Sequence, residues 1–488
     1  MKKLIYIISL LFLFSSVQLH AKNLNAFFSY SSFVSPVDGP YLETYLSVIG
    51  NTASFLKNET GKFQSTIEIT LLFKQGEIIK NYKKYNLKSP EVADTANISF
   101  NFIDQQRITL PNGGYLMEII ISDINNSKSS FNTSDSIYID YPIDKACISG
   151  IQLVESYKKT ETPSMISKSG FDLMPYPSDF IPQSITKLAF YTEIYNTDKS
   201  FGKEDKFIIN SSIESFETHK TVGNYFSFKK GTVANVIPIL NEFEITELPS
   251  GNYYLVVEVR DKDNSIVTIN KQFFQRSNPN LQFDINQITS LQYQNTFVDS
   301  FRNADVLLDF IKCLYPISSE MERLYETNQI NKSNLTTMKQ FFLNFWINRS
   351  SANPEKAWYR YYAEVLKVNN SFKTPIKRGY LTDRGRVYLQ YGPPNAIDRT
   401  DKDPSFYPYE IWHYYTLNNQ RNKKFVFYNP DLVTNDYELI HSDANGEMSD
   451  PAWNKKIGKR TTPNTNLDDT KGKDHWGNES EQNFNMPK

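Results

Sequence analysis

Short runs in which apolar and polar residues alternate fill the first half of the chain. The clearest are STIEITLLFK (65–74), YLMEIIISD (115–123), KLAFYTEIYN (187–196) and YYLVVEVRD (253–261). A period of two is typical of half-buried β-strands, and Gly, Asn, Asp, Ser and Pro bound these runs as turn residues do. Their regular spacing predicts β-sandwiches rather than alternating strands and helices.

An internal repeat supports two such sandwiches. LPNGGYLMEIIISDINN begins at Leu110, and LPSGNYYLVVEVRDKDN begins at Leu248, so the two align without gaps at an offset of 138 residues. Each has a leucine to plug the core, a Pro-x-Gly turn, and a tyrosine whose hydroxyl can bond the backbone at a corner between sheets. We therefore expect Tyr115 and Tyr253 to occupy equivalent corners of two immunoglobulin-like sandwiches, at 22–148 and 149–276.

The hydrophobic pattern changes to helical spacing near residue 280. RNADVLLDFIKCLYP, SNLTTMKQFFLNFWINRS and PEKAWYRYYAEVLKVNN place apolar residues three or four positions apart. Such spacing gives each helix one apolar face. The sequence predicts a helical segment over 277–372.

Strand-like runs return in the last part of the chain. GRVYLQYG (385–392), YEIWHYY (409–415), KKFVFYN (423–429) and DYELIHS (436–442) are separated by short turns. Short connections favour an antiparallel meander, which predicts a small α+β domain at 373–460. The whole chain is therefore expected to be mainly β. Residues 461–488 are polar and without periodicity, and we expect a disordered tail.

The stretch RGYLTDRGRVYLQYGPP, residues 378–394, combines turn residues with charge. Read as the entry to a strand, its residues have structural roles: Gly379 suits a positive-φ turn, and Thr382 and Asp383 can bond local backbone amides. Arg386 is expected to pair across strands with Glu410. The candidate motif and interaction residues are Gly379, Tyr380, Thr382, Asp383, Arg384, Arg386, Tyr391, Gly392, Pro393, Pro394, Glu410 and Trp412.

The first 21 residues have the pattern of a secretory leader. MKKLIYIISLLFLFSSVQLHA has two lysines, an apolar run from Leu4 to Phe14 and a polar end. The apolar run is shorter than the roughly 20 residues of a spanning helix. We expect export, cleavage after residue 21, no transmembrane span in the mature chain, and a periplasmic or outer-membrane-associated location.

Composition excludes several kinds of partner and cofactor. The net charge is -1, from 53 basic and 54 acidic residues, which gives no indication of nucleic-acid binding. Only Cys147 and Cys313 are present, and two separate buried thiols are the favoured interpretation over a disulfide. The five histidines show no metal-ligand spacing, so we expect neither metal nor cofactor.

Acid–base catalysis is the chemical alternative that the residues leave open. Asp383 or Glu410 with His413 or His441 could form a hydrolytic pair if the fold brought them together. Strand alternation, however, places Glu410 and His413 on opposite faces of their strand. Catalysis is therefore the alternative and not the main expectation.

Several motifs in order resemble one known family. GYLTD, RGRVYLQYGPP, PYEIWHYY, FVFYN and YELIHS, preceded by FLNFWINRSS and KAWYRYYAEV, are similar to the GWxTD domain of exported proteins from Bacteroidetes-type bacteria. Tyr380 stands where the signature has Trp, which keeps an aromatic ring but loses an indole N–H. The resemblance implies an exported protein with paired β domains and no established chemistry.

Together these observations predict a non-catalytic, exported cell-envelope interaction or assembly protein. Its expected partner is an envelope protein or complex, and its oligomeric state stays open. The alternative is an envelope hydrolase with a carboxylate–histidine site in the C-terminal domain.

Overall fold

A computed structural model describes residues 24–126, 130–281, 291–401, 406–458 and Phe484. The chain forms two compact units. One combines the described parts of residues 1–28, 46–104 and 116–134, and the other combines 29–45, 105–115 and 135–488. The predicted leader lies outside the described residues, as does the predicted tail apart from Phe484.

The first immunoglobulin-like region contains one three-stranded and one four-stranded sheet, with strand orders β1-β2-β7 and β6-β5-β8-β9. A short β3–β4 hairpin accompanies them. The strands are β1 (Ala26–Ser35), β2 (Gly39–Ile49), β3 (Leu56–Lys57), β4 (Phe63–Gln64), β5 (Thr66–Gln75), β6 (Ile78–Lys88), β7 (Asn101–Thr109), β8 (Gly113–Asp123) and β9 (Ser130–Ile139).

Alternation along β5 and β8 builds the core of the first unit. Ile69 faces Ile121 and Leu71 faces Ile119 across the antiparallel pair, and these four side chains are buried. The intervening residues point away from this core, as period-two patterning requires. The alternation in 65–74 and 115–123 therefore predicted these strands correctly.

The second sandwich is larger. One sheet has the order β10-β15-β11-β13-β12 with β18 also pairing β15, and the other has the order β14-β20-β19-β16-β17. The strands are β10 (Cys147–Ile148), β11 (Gln152–Lys159), β12 (Ser167–Lys168), β13 (Phe171–Pro175), β14 (Phe180–Ile181), β15 (Lys187–Tyr195), β16 (Phe207–Ser215), β17 (Thr221–Gly231), β18 (Val236–Glu244), β19 (Gly251–Arg260) and β20 (Ile266–Arg276). A single helical turn, α1 (Thr197–Ser200), follows β15.

Both predicted tyrosine corners are confirmed. The Tyr115 hydroxyl donates to the carbonyl of Pro111 at 2.9 Å, and the Tyr253 hydroxyl donates to the carbonyl of Pro249 at 3.0 Å. Leu110 and Leu248, which begin the two repeats, are buried in the cores. The 138-residue repeat is therefore a repeat of structure as well as of sequence.

Four helices follow the sandwiches and share one aromatic-rich core. Trp358 packs against Phe310, Phe342 and Trp346, with ring centroids between 4.8 and 5.8 Å apart. Asparagine or serine N-caps start each helix by accepting backbone N–H groups. The helices are α2 (Ala304–Lys312), α3 (Glu320–Asn328), α4 (Leu335–Arg349) and α5 (Pro354–Phe372).

The prediction of a strand over 385–392 is wrong, because Asp383–Tyr391 forms helix α6. The helix is buried on more than one side: Leu389 joins the aromatic core of the preceding helices, while Val387 joins the core beneath the following sheet. Contact on two sides removes the single apolar face that marks a surface helix. The apparent alternation of Val387, Leu389 and Tyr391 came from this double burial.

The predicted antiparallel meander is present, with a different first strand. Its order is β21-β22-β23-β24, and the strands are β21 (Ala396–Thr400), β22 (Tyr409–Leu417), β23 (Gln420–Tyr428) and β24 (Glu438–Ser442). Trp412 and Phe425 face α6, whereas Ile411 and Val426 pack with Trp453 of a last helical turn, α7 (Trp453–Lys456).

The structure also bears on the cysteines, on membrane-spanning helices and on metal-binding clusters. Cys147 and Cys313 are free and buried, so the prediction of separate thiols is confirmed. None of the helices in the described ranges is long and apolar enough to cross a membrane. Within those same ranges, no cluster of His, Cys, Asp and Glu side chains is suited to hold a metal ion.

Candidate functional site

The GYLTD stretch forms a turn and the start of helix α6. Gly379–Leu381 is a short 3-10 turn, and Thr382 is the N-cap of the helix. The Thr382 hydroxyl donates to the carbonyl of Gly379 at 2.7 Å and accepts the N–H of Gly385 at 3.1 Å. The Asp383 carboxylate accepts the N–H of Leu439 at 2.8 Å, which fixes the helix to strand β24.

The two glycines of this stretch are required by close backbone contact. A Cβ on Gly379 would lie 2.2 Å from the carbonyl oxygen of Val368 in α5, and a Cβ on Gly385 would lie 1.9 Å from the carbonyl oxygen of Gly379. Neither residue has a positive φ, so the reason proposed from the sequence, a positive-φ turn at Gly379, is wrong. The glycines instead allow the turn and α6 to pack directly on α5.

Tyr380 ties the turn to helix α2. Its ring is buried, and its hydroxyl donates to the carboxylate of Asp309 at 3.0 Å. Burial raises the pKa of Tyr380, and the charge and hydrogen bond of Asp309 raise this pKa further. Arg378 pairs with the other oxygen of the same carboxylate. Asp309 therefore receives two side chains of the motif.

Arg384 and Glu410 form a buried ion pair between α6 and β22. Their side chains are each 5% exposed, and the guanidinium lies 3.0 Å from the carboxylate. Glu410 also accepts the indole N–H of Trp412 at 3.0 Å, and Arg384 donates to the carbonyl of Asn435 at 2.9 Å. The guanidinium carbon lies 4.0 Å from the ring centre of Tyr437, at cation–π distance.

The predicted pairing of Arg386 with Glu410 is wrong, because α6 turns Arg386 toward Glu447. Both guanidinium nitrogens contact the Glu447 carboxylate at 2.8 Å, and Tyr391 donates to it at 2.8 Å. Burial alone would lower the pKa of Arg386. The hydrogen bonds and negative charge of Glu447 outweigh burial, so the pKa of Arg386 is raised. This bidentate pair anchors the segment that follows β24.

Helix α6 ends at Tyr391, and the chain turns sharply at Gly392. Gly392 has φ +85°, a conformation that side chains with a Cβ rarely adopt. Its carbonyl accepts the hydroxyl of Tyr414 at 2.8 Å. Pro393 and Pro394 follow before β21 begins, and the second proline is less exposed than the first.

The two histidines of the predicted catalytic pairs contact groups other than the predicted carboxylates. His413 faces Asp398 of β21 at 3.0 Å, with both side chains almost fully buried. His441 stacks on Trp453 and accepts the N–H of Asp450 at 3.0 Å. Burial lowers the pKa of His441 to about 4.

A cavity of about 370 Å³ opens beside Tyr380. Val365 and Cys313 contribute buried apolar surface, and Lys373 and Arg378 contribute exposed positive charge. Asp309 also lines it, with its carboxylate already bonded to Arg378 and Tyr380.

Comparison with known families decides what this region is. Residues 284–459 match the GWxTD domain. The chain carries a GWxTD domain. That domain spans the helical segment, the turn, α6 and the sheet, and it reaches well upstream of the signature itself.

The other comparisons give only weak similarities. No curated protein matches the sequence. Solved structures similar to the chain include red sea bream transglutaminase, with 11% identity, TM-score 0.16, and coverage of 52% of this chain and 31% of that one. Fibronectin(III)-like modules of Clostridium thermocellum CbhA share 10% identity at TM-score 0.14, covering 53% of this chain and 97% of theirs. Bacteroides uniformis β-glucuronidase 2 shares 8% identity at TM-score 0.16, covering 47% of this chain and 26% of its own.

Within the GWxTD domain, the partners of the motif residues were not predicted from the sequence. Asp309, Asn435, Leu439 and Glu447 lie between 51 and 71 positions away from the residues they bond. Each is an ordinary polar or apolar residue in its own segment, so no local pattern marks it. The motif residues were recognisable, whereas their partners required the fold.

Proposed function

We propose that the chain is an exported, non-catalytic interaction or assembly protein of the cell envelope. The observation that carries this proposal is the state of the motif: Asp383, Arg384, Arg386 and Glu410 are all engaged in bonds within the chain. Reactive groups need access to a substrate, whereas these groups hold a helix between a bundle and a sheet. They can influence a partner only through the shape of the domain.

The arrangement of carboxylates and histidines also supports a non-catalytic role. Glu410 is occupied by Arg384 and Trp412, and the His413–Asp398 contact is buried from solvent. A general base must lie within reach of a bound substrate. The Asp398–His413 contact is the arrangement that comes nearest to the hydrolase alternative, so it is the one to test.

The surrounding domains fit a binding role. Immunoglobulin-like sandwiches are common in cell-surface and extracellular proteins, where they present surfaces and do not supply chemistry. Export to the envelope, in the periplasm or at the outer membrane, is part of the same proposal and is motivated by the leader pattern in residues 1–21.

A reconstitution experiment tests binding. The tagged mature chain is cross-linked in envelope extract, the captured protein is purified, and the two are mixed at known concentrations. We expect a complex of defined stoichiometry in light scattering. Capture of the tagged chain alone, or failure of the purified proteins to form a complex, would contradict the proposal.

A parallel assay tests catalysis. The mature chain and its Asp398→Asn variant are incubated with ester, peptide and glycoside substrates. We expect both proteins to give equal background rates. Turnover by the unmodified chain that Asp398→Asn abolishes, with the melting temperature unchanged, would favour the hydrolase instead.

Cell fractionation tests the location. A C-terminally tagged chain should be found with the envelope fraction, shortened by about the length of the leader. Recovery of the full-length chain in the cytoplasm would contradict export.

A further inference from the structure

Strand β17 is an exposed edge of the second sandwich. In the part of the chain that the structure describes, it pairs with β16 and with no other strand. Phe226 is 51% exposed and Phe228 is 70% exposed, on the outer face of an eleven-residue strand. A long edge strand with exposed aromatic residues is a template for pairing with another strand.

The two faces of this sheet have different surroundings near β17. On the outer face, the sheet is covered farther along by the GWxTD domain, where the Tyr254 hydroxyl donates to Asn419 at 3.0 Å. On the inner face, Ser227 and Lys229 line a cavity of about 470 Å³ together with Leu240 of β18. The two sheets are therefore not in close contact beneath β17, where this cavity separates them.

The distribution of charge along β17 favours one way of pairing. Lys229 and Lys230 lie at its C-terminal end, whereas Thr221 to Asn224 at the other end carries no charge. A parallel, in-register copy would place each lysine against itself, and like charges directly opposite are destabilising. An antiparallel copy places the lysines against the neutral end.

We propose that β17 pairs antiparallel with β17 of a second copy of this chain, about a two-fold axis at Ser227. Directly opposite residues then point to the same face. Phe226 lies opposite the partner's Phe228, twice by symmetry, and the edge-exposed aromatic rings cover one another. Lys229 lies opposite Tyr225, where its ammonium group can contact the tyrosine ring.

This geometry forms a closed, two-fold interface. A two-fold axis uses the same surface on both copies and leaves no strand edge for further growth. The two five-stranded sheets would then form one continuous sheet across the dimer. The inference is independent of the partner sought above, since it concerns only copies of this chain.

The first test measures association. Sedimentation velocity of the mature chain over a concentration series should show a monomer–dimer equilibrium. The double variant Phe226→Lys/Phe228→Lys should raise the dissociation constant at least about tenfold. The matched control is Ile397→Lys, because Ile397 is 49% exposed on β21, another edge strand. A monomer at every concentration, or equal dimers in all three proteins, would overturn the proposal.

The second test measures register. Directly opposite Cα atoms lie about 4.5–5.5 Å apart, within disulfide range. Under mild oxidation, Ser227→Cys should form a covalent dimer, whereas Asn224→Cys should not, because the two copies of residue 224 would lie about 20 Å apart at 3.4 Å per residue. Cross-linking of both variants, or of neither, would overturn this pairing; the native cysteines are buried in each.

Discussion

The second sandwich and the GWxTD domain hold their elements together in different ways. In the sandwich, facing strands bury a continuous apolar core that includes Ile209, Leu255 and Phe274. In the GWxTD domain, the contact between α6 and β22 is made by a buried ion pair, Arg384 with Glu410, with apolar residues on either side. The first arrangement is non-directional, and the second depends on particular atoms.

The difference has an energetic consequence. The stabilising free energy of apolar burial is roughly proportional to the buried area. When one group is lost, neighbouring side chains can therefore repack and recover part of that free energy. A buried ion pair gives little net stability, yet removal of one partner leaves an uncompensated charge. The GWxTD domain should therefore be sensitive to single substitutions at the motif, whereas the sandwich corners should tolerate theirs.

The largest expected effect is at the ion pair. Arg384→Ala should lower the free energy of unfolding by about 3 kcal/mol, because Glu410 stays buried and keeps only the half-exposed guanidinium of Arg399, 3.6 Å away, as a cation. Urea denaturation measures it. The control is Lys187→Ala, whose bridge to Glu242 is 52% and 34% exposed and should cost less than about 1 kcal/mol. Equal losses in the two variants would contradict the contrast between buried and exposed pairs.

The glycine contact should follow in size. Gly385→Ala places a Cβ 1.9 Å from the Gly379 carbonyl oxygen, and overpacking of this kind costs about 2–3 kcal/mol. Thermal unfolding followed by circular dichroism measures it. Gly114→Ala is the control, since its Cβ would meet only Tyr138, at 3.6 Å, and should change stability by less than about 0.5 kcal/mol. A neutral Gly385→Ala would show that α6 and the turn are not closely packed.

His441 should make the GWxTD domain sensitive to acid. Its pKa in the folded chain is about 4, below the ordinary 6.5, because burial disfavours the charged ring. The unfolded chain therefore binds the extra proton between these values, and stability falls as pH drops from about 6.5 to about 4, by on the order of 2 kcal/mol. Urea midpoints at pH 7 and pH 4.5 measure the loss.

The matched variant for this prediction is His441→Phe, which keeps a ring to stack on Trp453. It should lose less stability between the two pH values than the unmodified chain does. An identical pH dependence in the two proteins would assign the acid sensitivity to other groups.

The smallest effects are expected at the tyrosine corners. Tyr253→Phe and Tyr115→Phe each remove one hydroxyl bond to a backbone carbonyl, and a hydrogen bond of this kind contributes about 0.5–1.5 kcal/mol. Chemical denaturation of the two variants measures it. A loss at Tyr253 as large as that of Arg384→Ala would remove the contrast between the two regions.

Local patterns predicted most of the elements because each element is mainly determined by its own residues. The alternation in 65–74 and 253–261 predicted β5 and β19, and the helical spacing of apolar residues in PEKAWYRYYAEVLKVNN predicted α5. The exception was 385–392, where a helix is buried by two neighbours at once. Periodicity reports one buried face, so it fails where a segment has two.

The repeated sandwich corners, the helical segment and the order of the last three strands could be predicted from local sequence, since turn residues and hydrophobic period act over a few residues. The polar pairs, in contrast, are set by the packing of distant segments: Arg384 with Glu410, Arg386 with Glu447 and Tyr380 with Asp309. These partners are between 26 and 71 residues apart. Their pairing depends on how helices and sheet pack together, and no local pattern encodes that.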